Sequence, residues 1–218
     1  QYTRENLDAD WSTGTFRLAT NQYDLIEADP TYPAAYCTDN YGDKTAVGLF
    51  GWGTWGEGKT PNLTSSDRTL YTWSTDFSGT LEGTSTWRTL TKDEWVYLLA
   101  HSNQSYATVH GVNGLLVAPD GKDIDGKSMA DWVEINDETW TTMQNDGYLF
   151  LPACGQRSQI SGANITTGGQ GEEVLYYSST EYNDVSAYNI WYKLGSQTAD
   201  DYSNKRQAFG IRLVSAGV

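Results

Sequence analysis

The chain has 218 residues, a length for one large domain or two small ones, and its 38% hydrophobic content is enough for a core. Its 28 acidic against 14 basic residues leave a formal charge of −14, a field that repels nucleic acid and anionic membranes, so neither is expected as a partner. No apolar run reaches the roughly 18 residues of a membrane span, so no direct membrane insertion is expected, and 15 Tyr, 9 Trp and 22 Gly suit an exported, loop-rich protein with an aromatic surface.

In chain order, "GTFRLAT" (residues 14–20) is the first β-prone run. Cys37 follows, with Cys154 as its only counterpart; two free buried thiols and one long-range disulfide both fit two cysteines with no close spacing. Residues 48–60, "GLFGWGTWGEGKT", match the phosphate-loop pattern from Gly53 and the dinucleotide pattern from Gly51. A phosphate loop works only where it opens a helix whose free N–H groups hold the anion. Pro61 and the Thr/Ser/Asn-rich residues after it offer no apolar stripe for such a helix, so no nucleotide is expected. Phe50, Trp52 and Trp55 among glycines instead predict a structured loop folded onto the core.

"LTKDEWVYLLAHS" (residues 90–102) predicts a helix: Thr91 as N-cap, Glu94 completing a capping box, and Trp95, Leu98 and Leu99 on one buried face. "YATVHGV" and "GLLVAPDG" predict strands. "GKDIDGKSMADW" (residues 121–132) cannot be an EF-hand, because Gly121 and Trp132 stand where the first and last ligands belong; it reads as a turn carrying solvated acids. A second, shorter helix is expected over "SMADWVEI" (residues 128–135), and "GYLFLPAC", "VLYYSST", "YNIWYKL" and "FGIRLVS" complete the strands. The reading is α+β and strand-heavy, with short antiparallel strands, one or two helices and long structured loops.

No catalytic spacing appears, and His101 and His110 lack the arrangement of a zinc site, so a non-catalytic binding module is expected and no cofactor. Asp131, Glu134 and Asp137 are read as a solvated acidic face. Binding is assigned to residues 178–206, where Tyr182, Asn183, Asp184, Tyr188, Asn189, Trp191, Tyr192, Asp200, Tyr202, Asn204 and Arg206 mix amphipathic aromatics with adaptable hydrogen-bonding groups, as paratopes do. In a polar hairpin, alternate residues would pack inward, so only about half of these are expected to face a ligand.

"FRLATNQYDLI", "GLFGWGTWG", "WRTLTKDEWVYLL", "VHGVNGLLVAPDG", "GYLFLPACGQR", "YYSSTEY" and "FGIRLV" follow in an order that resembles the Fibrobacter succinogenes major paralogous domain family of secreted and surface proteins of Bacteroidetes-type bacteria. The blocks are also similar to a C-type-lectin-like fold of the formylglycine-generating-enzyme type, with counterparts of its helix and C-terminal motifs at residues 88–97 and 210–212. The resemblance implies one lectin-like domain over residues 1–218, preceded in the full gene product by a signal, linker or further domain. It implies an extracellular or cell-surface location, or a phage particle, and a glycan or protein ligand held by the C-terminal region, in a segment that some relatives diversify. It also admits a structural calcium ion. The enzymes of that fold use cysteines late in the chain, and none follows Cys154 here, so their activity is not expected. The alternatives are an assembly component of a fimbria or phage fibre and an exported carbohydrate-active enzyme.

Overall fold

The computed structural model describes residues 5–10, 15–24, 46–53, 81, 87–161 and 164–215. Among these, sixteen strands and two α-helices make a strand-dominated α+β architecture. β1 (Leu7–Asp10) lies between β2 (Thr15–Leu18) and β3 (Ala46–Val47), both antiparallel to it. β4 (Phe50–Gly51) and β5 (Trp87–Thr89) are short. Cys37 and Trp55 lie outside the described residues, as do residues 54–60 of the glycine-rich run and hence most of its phosphate-loop match.

α1 (Lys92–His101) starts as its sequence predicts. The Thr91 hydroxyl accepts from the Glu94 N–H at 3.2 Å, and the Glu94 carboxylate accepts from the Thr91 N–H at 2.9 Å, so two orphan donors of the first turn are met reciprocally. Arg88 of β5 grips the same carboxylate with two bonds, of 2.7 and 2.5 Å. The Arg88 bonds are the largest influence holding Glu94 below its ordinary pKa.

β6 (Gln104–Val109) and β7 (Val112–Val117) form a hairpin that turns through His110 (φ 49°) and Gly111 (φ 77°). The run "YATVHGV", expected as one strand, therefore spans the turn between two. Residues 128–135 are not helical. Val133–Ile135 forms β8, parallel to β6, because β-branched Val133 and Ile135 suit a pleated surface. The helix comes just after. α2 (Asp137–Asn145) is capped by Asn136, whose side chain accepts from the Thr139 N–H at 2.9 Å, and carries Asp137 and Glu138 at its positive end. β9 (Leu149–Pro152) closes this sheet in the order β8-β6-β7-β9.

β10 (Gln156–Ser161) and β11 (Asn164–Gly168) pair antiparallel; β12 (Val174–Asn183), β13 (Ser186–Lys193) and β14 (Ser196–Asn204) form a long three-stranded sheet. β15 (Ala208–Phe209) pairs with both β10 and β4, and β16 (Leu213–Ser215) with β5.

In the β8-β6-β7-β9 and β12–β14 sheets, β6, β7, β9, the first half of β12 and the middle of β13 are buried on both faces, which decides what their sequences look like. From the β6–β7–β9 sheet, Tyr106, Leu115, Val117, Leu149 and Leu151 pack with Trp95 and Leu99 of α1, while Ala107, Val109, Leu116 and Phe150 pack with Trp140 of α2. From β12 and β13, Val174, Tyr176, Ile190 and Tyr192 join the α1 cluster, and Leu175, Tyr177 and Ala187 join Phe50, Trp52, Phe209 and Ile211 on the other side. Strands with two buried faces read as continuous apolar runs. Phe50 and Trp52, 0% and 2% exposed, thus belong to the core, as the packing reading of the glycine-rich run expected.

Beneath β12, Asn6 donates to the Tyr176 hydroxyl at 2.8 Å, and Tyr176 donates to the Pro152 carbonyl at 3.3 Å. Cys154 is a free buried thiol in contact with both side chains, and burial pushes its pKa up to about 11.

Candidate functional site

The candidate site is the far end of the β12–β14 sheet, and it exists because α1 is shorter than the strands it covers. Along β13, Tyr188, Ile190 and Tyr192 alternate onto the α1 side. Ile190 and Tyr192 lie in the cluster that includes Trp95 and Leu99, whereas Tyr188 lies beside the first residue of the helix and remains half-buried. Opposite it on β14 stands Tyr202, its direct cross-strand partner. Tyr182 of β12 completes the group.

The three rings form one surface. Tyr182 and Tyr202 stack at 4.1 Å between centroids and 10° between planes, and Tyr182 meets the Tyr188 ring edge-on at 5.3 Å and 88°. Tyr182 and Tyr202 remain 44% and 51% exposed. The Lys92 ammonium sits 5.0 Å from the Tyr188 ring centroid, a cation over an aromatic face. Among the described residues, none hydrogen-bonds the three phenolic hydroxyls, which are left to solvent or a ligand.

The platform is held from behind. The strand register shifts between Tyr177 and Glu181, and the irregular stretch docks on the entry to α1: Ser179 N–H donates to the Leu90 carbonyl at 2.9 Å, and Lys92 N–H donates to the Thr180 hydroxyl at 3.0 Å. On the opposite face Lys205, 1% exposed, pairs with the Glu181 carboxylate, donates to the Asp184 carbonyl at 3.2 Å and lies 4.6 Å from the Trp52 ring. Buried Tyr177 turns its hydroxyl between the Asn204 and Gln207 carbonyls, at 2.9 and 3.0 Å.

The residues proposed from sequence separate by their surroundings. Tyr182, Tyr188 and Tyr202 converge. Asn183 and Asn204 shape turns, Asn183 accepting from the Val185 and Ser186 N–H groups and Asn204 from the Arg206 N–H. Asp184 and Asp200 are exposed, Asp200 accepting from the Thr198 hydroxyl at 2.9 Å, and Arg206 is half-buried. Trp191 packs, partly buried, against the Phe50–Trp52 cluster.

Asn189 and Tyr192 are corrected: at 1% and 5% exposure they belong to the interior, because β13 is covered on both sides and neither parity of its alternation faces water along that stretch. Burial pushes the Tyr192 hydroxyl up to about 12. Sequence reasoning singled out Lys205 within the segment but missed Lys92 and the pairing of Lys205 with Glu181. Lys92 reaches the site only through tertiary packing, and nothing local to it signals that.

Compared with known proteins, the chain matches no family model, and no curated protein or solved structure is significantly similar to it.

Proposed function

We propose that this protein is a non-catalytic, adhesin-like binding domain of a secreted or cell-surface protein, which recognises a protein or glycan partner through Tyr182, Tyr188 and Tyr202. The observation that carries the reading is the exposed, mutually packed tyrosine platform. Three amphipathic rings already immobilised by each other lose little entropy when a partner covers them, and their hydroxyls offer donors and acceptors at the rim. The C-type-lectin-like resemblance assigns the ligand surface to the same part of the chain and is consistent with the α+β architecture.

A glycan and host-protein binding screen, followed by titration of any hit, tests this. Tyr202→Ala is expected to weaken binding by about 1–3 kcal/mol while leaving the unfolding free energy within about 1 kcal/mol of wild type, since half of that side chain is solvent-exposed. Unchanged affinity for an identified ligand in Tyr182→Ala, Tyr188→Ala and Tyr202→Ala together would rule the platform out.

The second reading, an assembly component of a fimbria or fibre, is favoured by β14. It ends its sheet over nine residues and pairs only with β13 among the described residues, an edge of the kind that accepts a strand from another subunit.

A further inference from the structure

A different part of the surface, around the C-terminal end of α1, carries an open cleft lined by aromatic and hydrogen-bonding side chains. Two hollows adjoin there, with Ser102 lining both. One, of about 310 Å³, lies between Tyr97, Leu98 and His101 of the helix, Val117 and Leu149 of the sheet, and Pro119 just after β7. The other, of about 350 Å³, is lined by Gln104, Lys127, Met129 and Gln197 among others. Each is at the lower end of the size range of ligand pockets.

The first hollow is aromatic and rich in acceptors. The Tyr97 ring stacks on His101 at 4.2 Å and 24°, yet Tyr97 is 67% exposed, so its other face is open. His101 Nδ1 lies 2.8 Å from the Tyr97 carbonyl, which can only accept, so Nδ1 carries a proton and spends it there, and the ring is held in place against Tyr97. Asp120 adds a carboxylate to the same wall.

The second hollow is lined mainly by amides and hydroxyls. Gln104 spends its amide N–H groups on the Leu99 and Ser102 carbonyls, which leaves its carbonyl oxygen as an acceptor. The Gln197 amide is exposed and, among the described residues, unbonded. The Lys127 ammonium already donates to the Asp123 carboxylate at 2.8 Å and to the side-chain amide oxygen of Asn103 at 3.0 Å.

A ligand matching both hollows needs an apolar ring face for Tyr97, hydroxyl donors for these acceptors, and no negative charge, since Lys127 is already paired and Asp120 would repel an anion. We infer that the cleft at the end of α1 is a binding site for a neutral oligosaccharide, one pyranose stacking on Tyr97 and the next hydrogen-bonding to Gln104 and Gln197. The site is separate from the tyrosine platform and does not depend on it.

Calorimetric titration with neutral hexasaccharides of glucose, mannose, xylose and N-acetylglucosamine tests the inference. At least one should bind saturably. Tyr97→Ala should then weaken it about ten-fold or more and Gln197→Ala by about three-fold, while Tyr97→Phe and Tyr202→Ala leave it unchanged. Both weakening substitutions fall on exposed side chains, and circular dichroism confirms that each variant is folded. No binding of any hexasaccharide overturns the inference. So does binding that survives both Tyr97→Ala and Gln197→Ala, or binding lost in Tyr202→Ala alone. Preferential, Asp120-dependent binding of a lysine hexapeptide would also overturn it, because the cleft would then be a cation site.

Discussion

Trp95 concentrates several demands in one side chain. It is 0% exposed, it fills the cluster between α1 and the two larger sheets, and its indole N–H donates to the Tyr177 carbonyl at 3.3 Å, behind the tyrosine platform. Trp95→Ala leaves a cavity and an unpartnered carbonyl, so urea denaturation should show a loss of about 3–5 kcal/mol. A loss under about 1 kcal/mol would mean that the site collapses around the gap.

One residue earlier in the chain, Glu94 ties cap and ion pair together. Its folded-state pKa is depressed, first by the Arg88 bonds, so its contribution is fully present above its ordinary value of 4.5 and is lost as pH falls through the folded value. Glu94→Gln keeps the capping box but not the charge. The variant should therefore lose less stability than wild type between about pH 5 and pH 3 in denaturant titrations, and equal losses would show that the pair is fully screened by solvent.

At the scale of elements, what was legible depended on how local the cause was. α1 was readable because its cap, its box partner and its buried face all lie within ten residues. α2 was missed because Thr139, Thr141 and Thr142 are weak helix formers and only Trp140 is fully buried, although Asn136 followed by Asp137 and Glu138 was an available start signal. β14 lacks a clean alternation because its register shifts against β13 between Asn189 and Trp191.

The sequence drew attention to the tyrosine- and amide-rich segment in which the three rings converge, but it did not sort Tyr188 from Tyr192. Both lie on the same face of one strand, and only the position where α1 begins decides which stays open. Gly114 shows the same non-local control. It opposes Pro152 in the β7–β9 pair, where an added Cβ would lie 2.5 Å from the Phe150 ring and 2.6 Å from the Leu151 carbonyl oxygen. Gly114→Ala should cost about 1–3 kcal/mol in a thermal or urea unfolding experiment, since the backbone carbonyl cannot swing aside as a flexible side chain would. A neutral result would mean that the β7–β9 pair spreads without loss.

At the scale of the whole molecule, the stacked clusters tie distant segments into one unit: Asn6 near the start, Cys154 in the middle, and Tyr176 and Arg212 late in the chain meet under the β12 strand. That arrangement turns Cys154 into a built-in reporter of global opening. A thiol 5% exposed, with a pKa near 11, offers almost no thiolate to an alkylating reagent while its surroundings stay packed. In a Cys37→Ser background, its modification rate should therefore follow complete unfolding, and should rise in step with the equilibrium destabilisation caused by Trp95→Ala. Labelling that is fast in the native protein and indifferent to Trp95→Ala would reveal a local opening beneath β12. If the rate instead tracks stability, one sulfur atom measures the folding free energy in plain buffer, without denaturant and without extrapolation.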